Sequence, residues 1–149
     1  VDYQGLMQQA LLLAKEAAEH NDVPVGAVVV NQNGEIIGRG KNEREKNNDP
    51  LAHAELIAIR EAAYNLNSWR SDDATLVVTL EPCAMCAGAI AQSRFARVVF
   101  GAFDEKAGAV GSVWDLIRDP RLPNKIEVIS GLFADESAEV LKDFFKKRR

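Results

Sequence analysis

Two short runs constrain this chain more than anything else in it: His53-Ala54-Glu55, and downstream Pro82-Cys83-Ala84-Met85-Cys86, which holds both of its cysteines. Residues two apart in a helix interior point to nearly opposite faces, so His53 and Glu55 can serve one centre only from the first turn of a helix. Cys83 and Cys86, three apart, share one helical face. Pro82 suits the position just before or at the first helical residue, and a helix N-terminus draws a thiol toward its thiolate. Both runs therefore predict helix starts, each reached from a strand or loop end, whose N-termini meet at one point on the edge of a sheet.

The donor types say what would sit there. Zinc favours thiolate and imidazole, and a catalytic zinc takes three protein ligands and keeps a fourth position open. Cys83, Cys86 and His53 supply three, which leaves Glu55 as a carboxylate unneeded for coordination. Zinc lowers the pKa of water toward neutrality, and a free carboxylate can take a proton and return it. The set suits hydrolytic attack on an aromatic carbon bearing an amino group, with ammonia leaving. Either half alone is ambiguous: His-x-Glu can be two surface groups, and Cys-x-x-Cys at a helix start can be a thiol-disulfide pair. A closed structural site would need a fourth ligand, and His20, the other imidazole, falls at a helix end where a cation complements the dipole.

Periodicity predicts the scaffold. Leu6, Ala10, Leu13, Ala14 and Ala17 recur at helical spacing over 3–20, and Pro24 and Gly26 break that helix. Val25 to Val30 is an apolar β-branched run, Asn33-Gly34 a turn, and Glu35 to Gly40 the returning strand of a hairpin. Residues 42–49 read as a polar loop, and Leu51 to Leu66 as a helix starting near Asp49-Pro50. Then come a strand (Thr75 to Leu80), a helix (Cys83 to Gln92), a strand (Arg97 to Gly101) and an irregular stretch to Asn124 with one helical turn near 113–117. A strand over 126–130 and an amphipathic helix over 135–147 close the chain. A hairpin followed by alternating helices and strands predicts one α/β domain over 1–149, a three-layer α-β-α sandwich around a mixed five-stranded sheet.

Composition removes some partners. The 149 residues can bury a core without disulfide staples. A net charge of −4 argues against broad attachment to nucleic acid, while the basic end Lys146-Lys147-Arg148-Arg149 leaves room for a local contact or a simple cationic helix end. Apolar runs fall far short of a membrane span, and the first residues lack a signal-peptide layout, so no membrane partner and a cytoplasmic location are expected.

At the His-x-Glu and Pro-Cys-x-x-Cys runs the sequence resembles the zinc-dependent cytidine and nucleobase deaminases, whose signature has this form. More closely it is similar to the bacterial tRNA-specific adenosine deaminases. The likeness runs through Val23-Pro24-Val25-Gly26-Ala27, Asn42, 52–55, 78–89, 98–102, Asp104, Lys106, Gly108, Gly111 and Ser112, to Phe144-Phe145 and the basic tail. The resemblance implies a cytidine-deaminase-like fold and hydrolysis of adenosine to inosine at the wobble position of a tRNA anticodon loop, by a homodimer with one zinc per subunit. It implies that His53, Cys83 and Cys86 hold Zn2+ and that Glu55 carries the proton. Asn42 would hydrogen-bond the flipped adenosine, the Ala54 backbone would hold water or base, Val23, Pro24 and Leu80 would shape the pocket, and Asp104 and Lys106 would contact neighbouring nucleotides. Leu51 stands where the family commonly has threonine, and Leu122-Pro123-Asn124 replaces a frequent Leu-Asn-His. The same zinc chemistry would serve a free nucleobase deaminase, such as one acting on guanine. A non-catalytic zinc or redox module would have no use for Glu55.

Overall fold

A computed structural model describes residues 1–148; Arg149, the last of the basic tail, lies outside the described residues. The elements are α1 (Tyr3–Glu19), β1 (Gly26–Val30), β2 (Ile36–Lys41), α2 (Arg44–Asn47), α3 (Ala54–Leu66), β3 (Thr75–Leu80), α4 (Ala84–Gln92), β4 (Arg97–Ala102), β5 (Glu127–Ile129) and α5 (Ala134–Lys146). The five strands form one sheet in the order β2-β1-β3-β4-β5. β1 runs antiparallel to β2 and β3, whereas β3, β4 and β5 are parallel. The sheet is mixed, as expected.

The central strands read as continuous apolar runs because both faces are covered. Alternate residues of β1, β3 and β4 serve the two sides. Ala27, Val29, Leu76, Val78, Val98 and Phe100 pack with Ala54, Ala58 and Ala62 of α3 and Ala87 and Ile90 of α4. Val28, Val30, Val77 and Val99 face Leu6, Met7, Ala10 and Leu11 of α1, with Val140 of α5 beside them. The result is the predicted three-layer sandwich.

The layer that matters for the site is α3 on β2 and β1. Gly40 lets the helix settle onto the strand: a side chain there would run into the Ala54 carbonyl and lie 2.7 Å from the Ala58 nitrogen. Alanines at 54, 58 and 62 are the complementary half of that close approach, all fully buried.

Three elements differ from the sequence expectation for identifiable reasons. The 42–49 segment contains a one-turn helix, because the buried Asp22 carboxylate accepts the Glu45 and Lys46 N–H groups at 2.8 and 3.2 Å. α3 starts at Ala54 rather than Leu51, since the side chain of Asn42 receives its first N–H. No helical turn forms over 113–117. Gly111 has a φ of +124°, Val110 bridges Asp115, and the Leu116 N–H goes to the Ala109 carbonyl at 2.9 Å, so the backbone pairs across a loop instead of along a helix. Element ends elsewhere differ by a residue or so, the usual fraying of boundaries. Among the described residues, no helix is long and apolar enough to cross a membrane.

Gly40→Ala should lower stability by about 1–3 kcal/mol, the usual effect of forcing a methyl into a filled core. Urea unfolding reads this directly, and an unchanged midpoint would mean that α3 does not lie this close to β2.

Candidate metal centre

His53 is the N-cap of α3, in extended backbone, and its side chain caps nothing. Asn42 takes that place. Its Oδ1 accepts the Ala54 N–H at 2.8 Å, its Nδ2 donates to the Val23 carbonyl at 3.0 Å, and the residue is only 7% exposed. With the helix capped from another element, the imidazole is free to serve a metal. Cys83 stands in the same position at the start of α4, extended and without a side-chain cap, and Cys86 lies buried one turn on. Both cysteines are free thiols. The two predicted helix starts therefore converge.

His53 Nδ1 lies 3.7 Å from Cys83 Sγ and 3.5 Å from Cys86 Sγ, and the three donor atoms all fall within 4.8 Å of one another. Zinc bonds of about 2.3 Å to sulfur and about 2.0 Å to nitrogen, at tetrahedral angles, would put nitrogen and sulfur about 3.5 Å apart. The donors thus already span edges of a zinc tetrahedron, and three of them leave one vertex for water or substrate. Zinc fits this set in number, type and spacing.

The electrostatics are those of a tightly packed donor cluster. The hydrogen bond with Cys86 draws Cys83 down to about 3, and the same contact pushes the Cys86 thiol up. The Cys83 sulfur beside it raises His53. Glu55, at the second position of α3 and 4% exposed, is pushed up to about 7 by burial. Its carboxyl is enclosed beside the donors and is not one of them.

The other predicted residues fall into two groups. Val23, Pro24, Asn42 and Ala54 adjoin the ligand end of α3: Asn42 bonds both the Val23 carbonyl and the Ala54 N–H, and Pro24 is buried between α1 and β1. The Ala54 N–H is therefore already donated. Leu80 ends β3, partly buried against the α3 and α4 core. Asp104 and Lys106 lie on the turn after β4, where Asp104 Oδ1 accepts the Lys106 and Ala107 N–H groups at 3.1 Å. That turn reaches the metal ligands through Gly108, which bridges Cys83.

Two features have no clear chemical signature in sequence. Glu81 appears there only as an acid ending an apolar strand, yet it is 2% exposed, and its carboxylate accepts from Asp104, Val110 and Ser112. Burial pushes its pKa up, but the Ser112 hydroxyl and the three backbone N–H groups outweigh that and hold it below the usual range. The second is the placement of the basic tail, whose charge the sequence shows but whose contacts it does not. Arg148 is folded back, its guanidinium 3.6 Å above the Phe144 ring and donating to Asn21 Oδ1 at 2.7 Å. Together with Val23, Asn42 and Arg44 these residues line a cavity of about 260 Å³. The C-terminal aromatic and cation thus reach Val23 and Asn42, an address that residue spacing could not supply.

A three-donor zinc site with a non-ligating buried carboxylate, mounted on two helix starts at a sheet edge, is the site of a zinc hydrolase. The chain belongs to the cytidine and deoxycytidylate deaminase family, whose zinc-binding region matches residues 1–102. It is 48% identical over 143 residues to the tRNA-specific adenosine deaminase of Bacillus subtilis strain 168, covering 96% of this chain and 88% of that one. A solved structure from work on A-to-I editing by tRNA:A34 deaminases at the wobble position of transfer RNA superposes with a TM-score of 0.87. It is 44% identical and covers 92% of this chain and 99% of its own. A guanine deaminase from Nitrosomonas europaea is more distant at 26% identity, with a TM-score of 0.78 over 95% of this chain and 83% of that one.

Purified protein should carry one zinc per chain by metal analysis, and chelation should lower its thermal midpoint by several degrees, because a bound ligand stabilises the native state by mass action. A chain expressed with ample zinc that holds none, and melts the same with or without chelator, would remove the metal from this site.

Proposed function

We propose that the chain is a tRNA-specific adenosine deaminase, one deaminase domain that converts adenosine to inosine at the wobble position of an anticodon loop. The observation that carries this reading is the 48% identity with such a deaminase along nearly the whole chain, joined to a donor set that fits zinc. Deamination replaces the 6-amino group of the base with oxygen from water: a C–O bond forms at C6, the C–N bond breaks, and ammonia leaves.

His53, Cys83 and Cys86 would hold zinc, which when bound would supply a Lewis acid to make a water nucleophilic near neutral pH. Glu55 takes the proton from that water and returns it to the departing amine. Its burial supports the role, since a carboxylate out of bulk water holds a proton that an exposed one would lose. Asn42 orients the base. Its amide keeps one N–H and one lone pair beyond those used by Val23 and Ala54. Val23, Pro24, Leu80 and the Ala54 backbone form the walls against the base and the water, while Asp104 and Lys106 meet neighbouring loop nucleotides. Single-stranded loops are held this way, by splaying a base out of the stack and gripping its neighbours.

The partner is the anticodon stem-loop of a tRNA, and the setting is the cytoplasm, where such substrates are. The working unit is a homodimer. Leu51, Tyr64, Leu66 and Trp69, exposed on and around α3, offer the apolar surface such an assembly would cover. A single-chain mass in sedimentation equilibrium would remove the dimer without touching the chemistry.

An anticodon stem-loop with a wobble adenosine should be converted to the inosine form with a kcat/KM at least about 100-fold above that on free adenosine or guanine, since remote contacts are used to position the reacting base. Glu55→Ala should lower this turnover at least about 100-fold while keeping its zinc. Product masses read both. Equal or faster turnover of free guanine would favour a nucleobase deaminase, and an active Glu55→Ala would end the role given to that carboxylate.

A further inference from the structure

Glu81 follows β3 directly and stands two residues before the ligand Cys83. Burying a carboxylate is costly unless its oxygens are satisfied. Here Oε1 accepts the Asp104 N–H at 3.0 Å and the Ser112 hydroxyl, and Oε2 accepts the Val110 and Ser112 N–H groups at 3.0 and 3.1 Å. Every one of these donors is neutral, and every one lies in the 104–112 loop. Gly108 completes the seat, because a side chain at that position would collide with the Glu81 carboxylate. The same loop is tied to the ligand run by the Ala109 N–H to the Pro82 carbonyl at 2.8 Å and by the bridge between Cys83 and Gly108.

We propose that Glu81 is a positioning residue for nucleic-acid recognition: its carboxylate fixes the Asp104 to Lys106 turn relative to the metal ligands, so that neighbouring nucleotides and the reacting base are held in register. This rests on the function proposed above. An ionised carboxylate is the one side chain that offers acceptors alone on both arms, which is what a ring of backbone N–H groups requires. Asp104 then turns the chain through its own Oδ1 and leaves Lys106 exposed on the outer side. The chain from metal to substrate contact is thus Cys83, Glu81, Asp104, Lys106.

Glu81→Gln tests it with little change of shape. The amide NH2 would settle in the place of Oε1, because the Ser112 hydroxyl there can rotate to accept, whereas Oε2 faces two backbone donors. Only the Asp104 N–H then loses its partner, so the variant releases the turn selectively. KM for the wobble-adenosine stem-loop should rise about tenfold, the effect of one unsatisfied N–H, with kcat within about threefold and one zinc per chain retained. A double-mutant cycle supplies the readout that general loss of stability would not move. Lys106→Ala should weaken stem-loop binding in the native background and do little more in the Glu81→Gln background, since the turn it acts from is already released. Additive effects, a fall in kcat alone, or loss of zinc would each overturn the proposal. Should Glu81→Gln not fold, Glu81→Asp takes its place in the same cycle, since a carboxylate one methylene shorter draws back from the Asp104 N–H; a rise in KM is expected and additivity is again decisive. A native protein inactive on the stem-loop would instead fail the proposed function.

Discussion

The hydrogen bond from the Ala54 N–H to Asn42 holds the centre together. A helix start ordinarily looks to its own N-cap side chain for an acceptor. Here the acceptor comes from the segment after β2, and the residue in the cap position, His53, is left free to turn its ring to Cys83 and Cys86. The same amide holds the Val23 carbonyl, so the loop before β1, the segment after β2 and the first turn of α3 meet at one side chain. The close seating of α3 on Gly40 works in the same direction, since it fixes how far Ala54 stands from the sheet.

A second hub mirrors the first on the other side of the donors. Glu81 collects the 104–112 loop in the way Asn42 collects the α3 start, and each stands near a helix start whose cap residue, Cys83 or His53, belongs to the donor cluster. The two hubs differ in physical character. Asn42 is neutral and needs one donor and one acceptor, so it can join two backbone segments of opposite polarity. Glu81 is acceptor only and can gather N–H groups from a single loop. With the ligands pinned from both sides, the donor atoms sit at zinc spacing with the helices already formed around them.

Much of this was legible in the residues. The short apolar, β-branched runs at 25–30, 75–80 and 97–101 give strands because such segments, buried on both faces, have few other outcomes, and the structure has them within a residue or so. The donor cluster was legible because His-x-Glu and Cys-x-x-Cys can each serve one centre only from a helix start, and the structure brings the His53, Cys83 and Cys86 donor atoms within 4.8 Å of one another. What was not legible came from contacts distant in sequence. Asp22 induces the short helix at 44–47, Asn42 moves the start of α3 to Ala54, and Arg148 folds back onto Phe144 and Asn21. The loop at 113–117 lost its expected helical turn to pairing between Val110 and Asp115.

The sequence by itself determined the donors, the spare carboxylate and the layered α/β class, because these follow from residue type and local periodicity, which act over a few positions. Only the tertiary structure decided who caps the ligand helix, that Glu55 is enclosed, and that Glu81 is a hub and no ordinary strand-end acid. Those outcomes depend on hydrogen-bond partners and burial supplied by segments 12 to 31 residues away. No local rule specifies such pairings, since the donors and acceptors are brought together only when the layers of the sandwich close.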